Sequence, residues 1–388
     1  MTRPDGDRLR RWRLLLGSAD DAPGSFSLEG LDAQRDATLD ALYGESAGDR
    51  RAGLGRSSPR VARWLGDIRT YFPTSVVQVM QRDAMDRLGL RELLLEPELL
   101  ESVQPDVHLV GTLLALNKAI PERSRETARS VVRQVVEQLE RRLAQATRQA
   151  VRGALNRAAR TRRPRLADVD WNRTILANLK HYQPEHRTVI PERVVGFGRH
   201  LPEVSRDIVI AIDQSGSMAS SVVYAGVFAA VLASIRSVRT RVIAFDTAVA
   251  DLTDDLHDPV DVLFGVQVGG GTDINVALAY CETLVERPRD TILVLISDLL
   301  DGGEWESTRA RARAFVESGV QLVALLALSD DGAPAYAHDN AADLAGMGVP
   351  AFACTPDRFP DLMAAAIERR NLADWAAANA TPTPTPTS

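Results

Sequence analysis

The feature that most constrains this chain is an alternation that begins near residue 207. Continuous apolar runs at 208–212 (IVIAI), 242–245 (VIAF), 292–296 (ILVLI), 322–328 (LVALLAL) and 350–353 (PAFA) are separated by segments of helical pattern. A strand with one wet face alternates apolar and polar side chains; one that is apolar throughout is covered on both faces. Such strands with helices between them build a parallel sheet in α/β layers. The piece 248–252 follows Phe245-Asp246-Thr247 directly and is expected to return as an antiparallel edge strand. The expected fold is α/β and doubly wound, with a mostly parallel sheet, preceded by an α-helical N-terminal domain.

The chemistry lies where three of these strands end. The first runs into Asp213-Gln214-Ser215-Gly216-Ser217, at the carboxyl edge where open α/β sheets bind ligands. Asp, Ser and Ser at alternate positions aim three oxygens at one point, and Gly216 lets the backbone bend between them. A second loop, Gly269-Gly270-Gly271-Thr272-Asp273, adds the Thr272 hydroxyl, and the strand at 292–296 delivers Ser297-Asp298. Asp213, Ser215, Ser217, Thr272 and Asp298 form an all-oxygen donor set with two carboxylates and no His or Cys. Hard donors of this kind favour Mg²⁺, with Mn²⁺ or Ca²⁺ as alternatives. Neutral hydroxyls leave the ion electron-poor, so an Asp or Glu of another protein is a favoured last ligand.

These residues resemble the metal-ion-dependent adhesion site of von Willebrand factor A-type (VWA) domains, with its DxSxS motif, distal Thr and distal Asp. The resemblance spans about residues 205–370. It implies a VWA, Rossmann-like fold in which Ser215 and Ser217 ligate directly and Thr272 directly or through water. Asp213 and Asp298 would then act mostly through waters and hydrogen bonds. Adhesion receptors place a glycine directly after the distal Asp, whereas here Leu299-Leu300 follow Asp298 and the first glycine is Gly302. The layout and the phrases AIDQSGSM, GGGTDIN and LVLISDL are similar to the CoxE-like and YehP-like bacterial proteins. That resemblance implies an adaptor or co-chaperone role beside a MoxR-type AAA+ ATPase. No GxxxxGK[ST] occurs, so the ATPase would have to be the partner.

The N-terminal half reads as helical, with a domain over 1–170, a linker over 171–204, the metal-binding domain over 205–372 and a disordered Thr/Pro tail over 373–388. Its strongest pattern is a long amphipathic helix near 121–163. There Val132, Val135, Val136, Leu139, Leu143, Ala146, Ala150, Ala154 and Ala158 make one stripe. Thirteen arginines against four glutamates over 121–165 make the helix basic. A solvated face and a docking surface for an acidic protein both fit. Nucleic acid does not, because no aromatics are interleaved for base stacking and the chain's net charge is −6.

Two isolated cysteines, Cys281 and Cys354, suit a reducing compartment. The N-terminal apolar run Leu14-Leu15-Leu16 is too short for a signal peptide, and no stretch approaches the roughly 20 apolar residues of a membrane span. A cytoplasmic protein is expected. Gly44-Glu45-Ser46-Ala47-Gly48 matches the nucleophile elbow of serine hydrolases, but that motif needs a strand before it and a helical segment precedes it here. The leading expectation is a non-enzymatic binding protein. A hydrolase using Ser46 and a metal-independent scaffold are the alternatives.

Overall fold

A computed structural model describes residues 28–43, 58–87, 94–95, 97–158, 160–161, 169–197, 206–266, 270–329 and 335–379. The Ser46 motif and the tail from 380 lie outside the described residues. The chain divides into two compact units, Met1–Val136 and Glu137–Ser388.

The first unit is helical: α1 (Leu31–Tyr43), α2 (Ser58–Tyr71), α3 (Thr74–Arg87), α4 (Pro97–Ser102), α5 (Val107–Ala115) and the start of α6 (Glu122–Ala158). Trp64, Ile68, Met80, Leu100, Leu109 and Leu113 are buried in it. The buried Trp64 indole N–H donates to the Thr38 carbonyl at 3.1 Å. Asp106 starts α5 by accepting the Leu109 N–H at 2.7 Å, which satisfies a helix-end donor.

The division between units falls inside α6, a single helix of 37 residues. Its buried stripe follows expectation through Val132, Val135, Val136, Leu139 and Leu143, then turns. Beyond Leu143, Thr147 and Val151 are buried in place of Ala146, which is exposed, and Ala150, which is half-buried; the stripe meets expectation again at the buried Ala154. Alanine is small enough to sit on either face, so periodicity alone misplaced the stripe there. The Thr147 hydroxyl is satisfied inside the helix by the Leu143 carbonyl at 2.8 Å. In the second unit Arg142 pairs with Asp357 at 2.8 Å, and Arg148 donates to the Ser234 hydroxyl at 3.3 Å. Part of the basic face is therefore used within the fold.

The second unit carries a six-stranded sheet: β1 (Arg206–Asp213), β2 (Val238–Phe245), β3 (Val249–Asp251), β4 (Thr291–Ile296), β5 (Gln321–Leu328) and β6 (Ala351–Cys354). The order across it is β6-β5-β4-β1-β2-β3. All pairs are parallel except β2 with β3, where Phe245 faces Val249 and Ile243 faces Asp251. The antiparallel edge is thus present. On one face Val209, Ala211, Ile243, Phe245, Leu293 and Leu295 share a core with α10 (Ile274–Leu284), α11 (Trp305–Ser318) and α12 (His338–Gly346). The alternate residues Ile208, Ile210 and Ile212 are also fully buried and, by the two-residue period of a strand, face the opposite side.

That other side holds α8 (Ala219–Ala233), which packs on β1, β2, β5 and α9 (Pro259–Gly265). Phe228 of α8 stacks on Phe359 of α13 (Phe359–Ile367), ring centres 4.4 Å apart. Gly216–Ala233 is, by length and composition, apolar enough to cross a membrane, against the expectation that no stretch comes close. It is apolar all round because it is a core helix, 72% buried inside the fold. Residues 171–197, within the segment read as a linker, carry α7 (Trp171–Ala177) and a short two-stranded turn, Tyr182–Gln183 against Thr188–Val189. The stretch 373–379, read as the start of a disordered tail, instead belongs to a final helix, α14 (Leu372–Asn379), in which Leu372 and Trp375 are buried.

Candidate metal centre

Sheet register brings the site together. Ile212 of β1 lies opposite Ile296 of β4, so the next residues, Asp213 and Ser297, leave the sheet at one level. The Ser297 hydroxyl donates to Asp213 Oδ2 at 2.7 Å. Asp213 Oδ1 accepts the Ser215 N–H at 2.8 Å, which turns the chain out of the strand, and the Thr272 hydroxyl at 3.3 Å. Gln214 N–H donates to the Phe245 carbonyl at 2.9 Å, tying this turn to β2. A short 3-10 turn, Gly216–Met218, then leads into α8.

The second half of the cluster is centred on Asp298. Ser217 Oγ donates to Asp298 Oδ2 at 2.6 Å, and the Ser215 and Ser217 hydroxyls lie 3.2 Å apart. All five expected residues therefore meet in one hydrogen-bonded group. Ser297 is a sixth member that sequence reasoning did not single out; its signal was its place just after an apolar strand, one residue before an expected site carboxylate.

Loops fix the rim. Asp273 N–H donates to the Asp246 carbonyl at 2.8 Å, seating Thr272 beside β2. Asp273 also caps α10, accepting the Val276 N–H at 3.0 Å. Gly302 N–H donates to the Thr272 carbonyl at 2.8 Å, and a Cβ at Gly302 would stand only 3.2 Å from that oxygen. This glycine permits the close approach of the two loops. Directly after Asp298, Leu299 takes a left-handed backbone with φ +59, which a glycine would adopt freely. The strain, about 1–2 kcal/mol for a residue with a side chain, is held by four anchors. Leu299 N–H donates to Ser297 Oγ at 3.0 Å, its carbonyl accepts from Asn340 Nδ2 at 2.9 Å and from Asp301 N–H at 2.8 Å, and its side chain is fully buried. Leucine thus makes the turn that follows the distal aspartate.

Asp213, Thr272, Ser297 and Asp298 are buried, Ser215 is half-buried and Ser217 exposed. Burial pushes the Asp213 carboxyl above its usual range, and the nearby Asp298 charge pushes the same way. Hydrogen bonds from Ser215 and Ser297 pull it back. Among the described residues, no Lys, Arg or His forms an ion pair with either carboxylate. Among the described residues no group of three or more His, Cys, Asp or Glu is placed to hold a metal ion, so an ion at this cluster would rest on hydroxyls beside the two carboxylates. Two adjacent buried carboxylates here have hydroxyl and N–H donors but no basic partner, and burying negative charge without one is costly in a low-dielectric site. A hard divalent cation fits both that charge and the oxygen donors.

Residues 141–363 match the family model described as "VWA domain containing CoxE-like protein". Over 366 residues the chain is 35% identical to the uncharacterized protein YehP of Escherichia coli (strain K12), covering 92% of this chain and 96% of that one. Among solved structures, an aerotolerance-related membrane protein from Bacteroides fragilis NCTC 9343 aligns with 42% of this chain and 99% of its own, at 17% identity and a TM-score of 0.34. The Deinococcus radiodurans RO (RSR) protein aligns with 94% of this chain and 74% of its own, at 14% identity and a TM-score of 0.31. Likenesses at that level carry nothing about function.

Proposed function

The chain belongs to the CoxE-like family of VWA-domain proteins, and from that premise we propose that it is a cytoplasmic adaptor whose protein partner docks through a divalent cation at the carboxyl edge of the sheet. The adaptor serves a MoxR-type AAA+ ATPase in assembling or remodelling a target protein. The observation that carries this reading is the pair of buried carboxylates, Asp213 and Asp298, ringed by hydroxyls and lacking a basic partner.

Ser215, Ser217 and Thr272 would hold the ion through their hydroxyls, with Asp213 and Asp298 supplying charge and orienting hydrogen bonds. When bound, the ion offers a Lewis-acidic position to an acidic side chain of the partner. The chain's own contribution is preorganisation. Asp213 is fixed from three sides by Ser215, Thr272 and Ser297, and Ser217 is held toward Asp298. Mg²⁺ is the expected ion, with Mn²⁺ or Ca²⁺ as alternatives.

Calorimetric titration of the full chain with Mg²⁺ tests the metal, and co-purification with a MoxR-type ATPase, with and without EDTA, tests the partner. Saturable Mg²⁺ binding, abolished in a folded Asp213→Ala variant, is the expected result. At a free concentration 100 times Kd, binding stabilises the fold by about 2.7 kcal/mol, which a thermal melt reads directly. Parent and variant with the same Mg²⁺ response sink the metal reading. ATPase capture indifferent to EDTA sinks the metal-dependent partnership.

A further inference from the structure

Leu299 sits between two peptide groups, and each is held at both ends. In the first, the Asp298 carbonyl accepts the Ala337 N–H at 2.9 Å, and the Leu299 N–H donates to Ser297 Oγ at 3.0 Å. In the second, the Leu299 carbonyl accepts from Asn340 Nδ2 at 2.9 Å and from the Asp301 N–H at 2.8 Å. The Leu300 N–H at the other end of that second group donates to Asp298 Oδ1 at 3.1 Å. A peptide group is planar and stiff, so fixing its oxygen also aims its N–H. Asn340 and the Asp298 carboxylate therefore hold one rigid plane from opposite ends.

The two planes together set φ and ψ of the residue between them, here in the left-handed region with φ +59. A glycine rests there freely, and a leucine does not. Without a hold, rotation of the second plane relieves the strain, and it carries the Leu300 N–H away from Asp298 Oδ1. Asp301 belongs to the same loop and moves with it. Asn340 holds the plane from outside, from the first turn of α12 and 41 residues along the chain. Its Nδ2 end must face the loop, because a carbonyl can only accept. Ala337, at the start of the same helix, holds the first plane.

We propose that Asn340 is a positioning residue of the metal centre, doing for Leu299 what a glycine at that position would do by itself. It keeps the 299–300 peptide turned so that Leu300 aims Asp298 Oδ1, while Ser217 holds Oδ2 at 2.6 Å. This role rests on the divalent-cation reading of the site. Asn340 supplies no ligand atom; it acts on the ion through Leu300 and Asp298. Groups that orient metal ligands typically set affinity by about 10–100-fold, and Asn340, one step further out, belongs at the lower end.

The test is calorimetric titration of the full chain with Mg²⁺, for the parent, Asn340→Ala, Leu299→Gly and the two changes together. Asn340→Ala should raise Kd about 10-fold. Asn340→Asp, the same shape without the donor, should do at least as much. In the Leu299→Gly background, Asn340→Ala should raise Kd less than about 3-fold, because glycine keeps the turn without the amide. Asn178→Ala is the control for lost stability. It removes an amide equally committed to backbone, at Thr174, Glu192 and Arg193, and should leave Kd within about 2-fold of the parent. Far-UV circular dichroism in EDTA checks that each variant is folded at the temperature of titration. If Leu299→Gly does not fold, Asn340→Ala against Asn178→Ala decides. A parent without saturable Mg²⁺ binding sinks the metal reading and this role with it. A parent that binds, with Asn340→Ala within about 2-fold of it, overturns the role of Asn340 alone and leaves the metal reading standing. So does an equal loss in Asn340→Ala and Asn178→Ala. An equal loss from Asn340→Ala in both Leu299 backgrounds overturns it too, since the amide then acts on something other than the left-handed turn.

Discussion

Replacing Ser297 by alanine should cost the second unit about 2.5–6 kcal/mol. The side chain is fully buried and serves two partners, donating to Asp213 Oδ2 at 2.7 Å and accepting the Leu299 N–H at 3.0 Å. Loss of a hydrogen bond to a charged acceptor costs about 1.5–3 kcal/mol, and a buried N–H left without a partner costs about 1–3 kcal/mol. No solvent screening discounts either figure. The variant also removes one of the donors that pull the Asp213 carboxyl down, so burial and the Asp298 charge push it further up. It frees Leu299 from one anchor of its left-handed backbone as well. Urea unfolding in EDTA reads the effect as a shifted midpoint at unchanged slope. At about 2–4 °C per kcal/mol for a unit of this size, the melt should fall by roughly 5–24 °C. Ser215→Ala is the matched control, because Ser215 is half-exposed, its hydroxyl lies 3.2 Å from that of Ser217, and it acts on Asp213 more weakly than Ser297 does; it should cost less than about 1 kcal/mol. Equal losses in the two variants, or a loss below about 1 kcal/mol for Ser297→Ala, would refute the argument that Ser297 holds the aspartate.

Four further outcomes are expected. Burial pushes the thiols of Cys281 and Cys354 up from 9.0 to about 12, so native protein at pH 8 should resist iodoacetamide until unfolded; labelling of either within minutes contradicts this. Because the folded pKa values are raised, the unfolded chain ionises first, and unfolding free energy should fall as pH rises from about 9 towards 12, less steeply in Cys281→Ala. Thr272→Ala and EDTA should each lower partner capture at any salt concentration, whereas Arg133→Gln/Arg152→Gln on the basic helix should act only at low ionic strength; capture lost in the arginine variant and untouched by EDTA assigns docking to the helix. Ser46→Ala should leave any esterase turnover at the parent's background, and a saturable activity abolished by it would revive the hydrolase reading.

Sequence alone determined the features that local periodicity dictates. Strands apolar at every position demanded a parallel sheet covered on both faces, and the short return at 249–251 its antiparallel edge. The cluster residues Asp213, Ser215, Ser217, Thr272 and Asp298 were legible because each sits where an apolar run or a glycine-rich stretch ends, and the structure brings them together. Tertiary structure decided what depends on alignment between strands far apart in the chain. Ser297 joined the site because Ile296 is in register with Ile212, a pairing that no spacing encodes. Leu299 holds a glycine's conformation because Asn340 of α12 meets its carbonyl while Ser297 and Asp301 of its own loop bind its backbone. Gly216–Ala233, which composition alone allows to be a membrane span, is a core helix because the sheet lies against it. The turn of the α6 stripe from Ala146 to Thr147 has the same cause: a pattern of small residues says which faces can be buried, and only the neighbour that arrives says which one is.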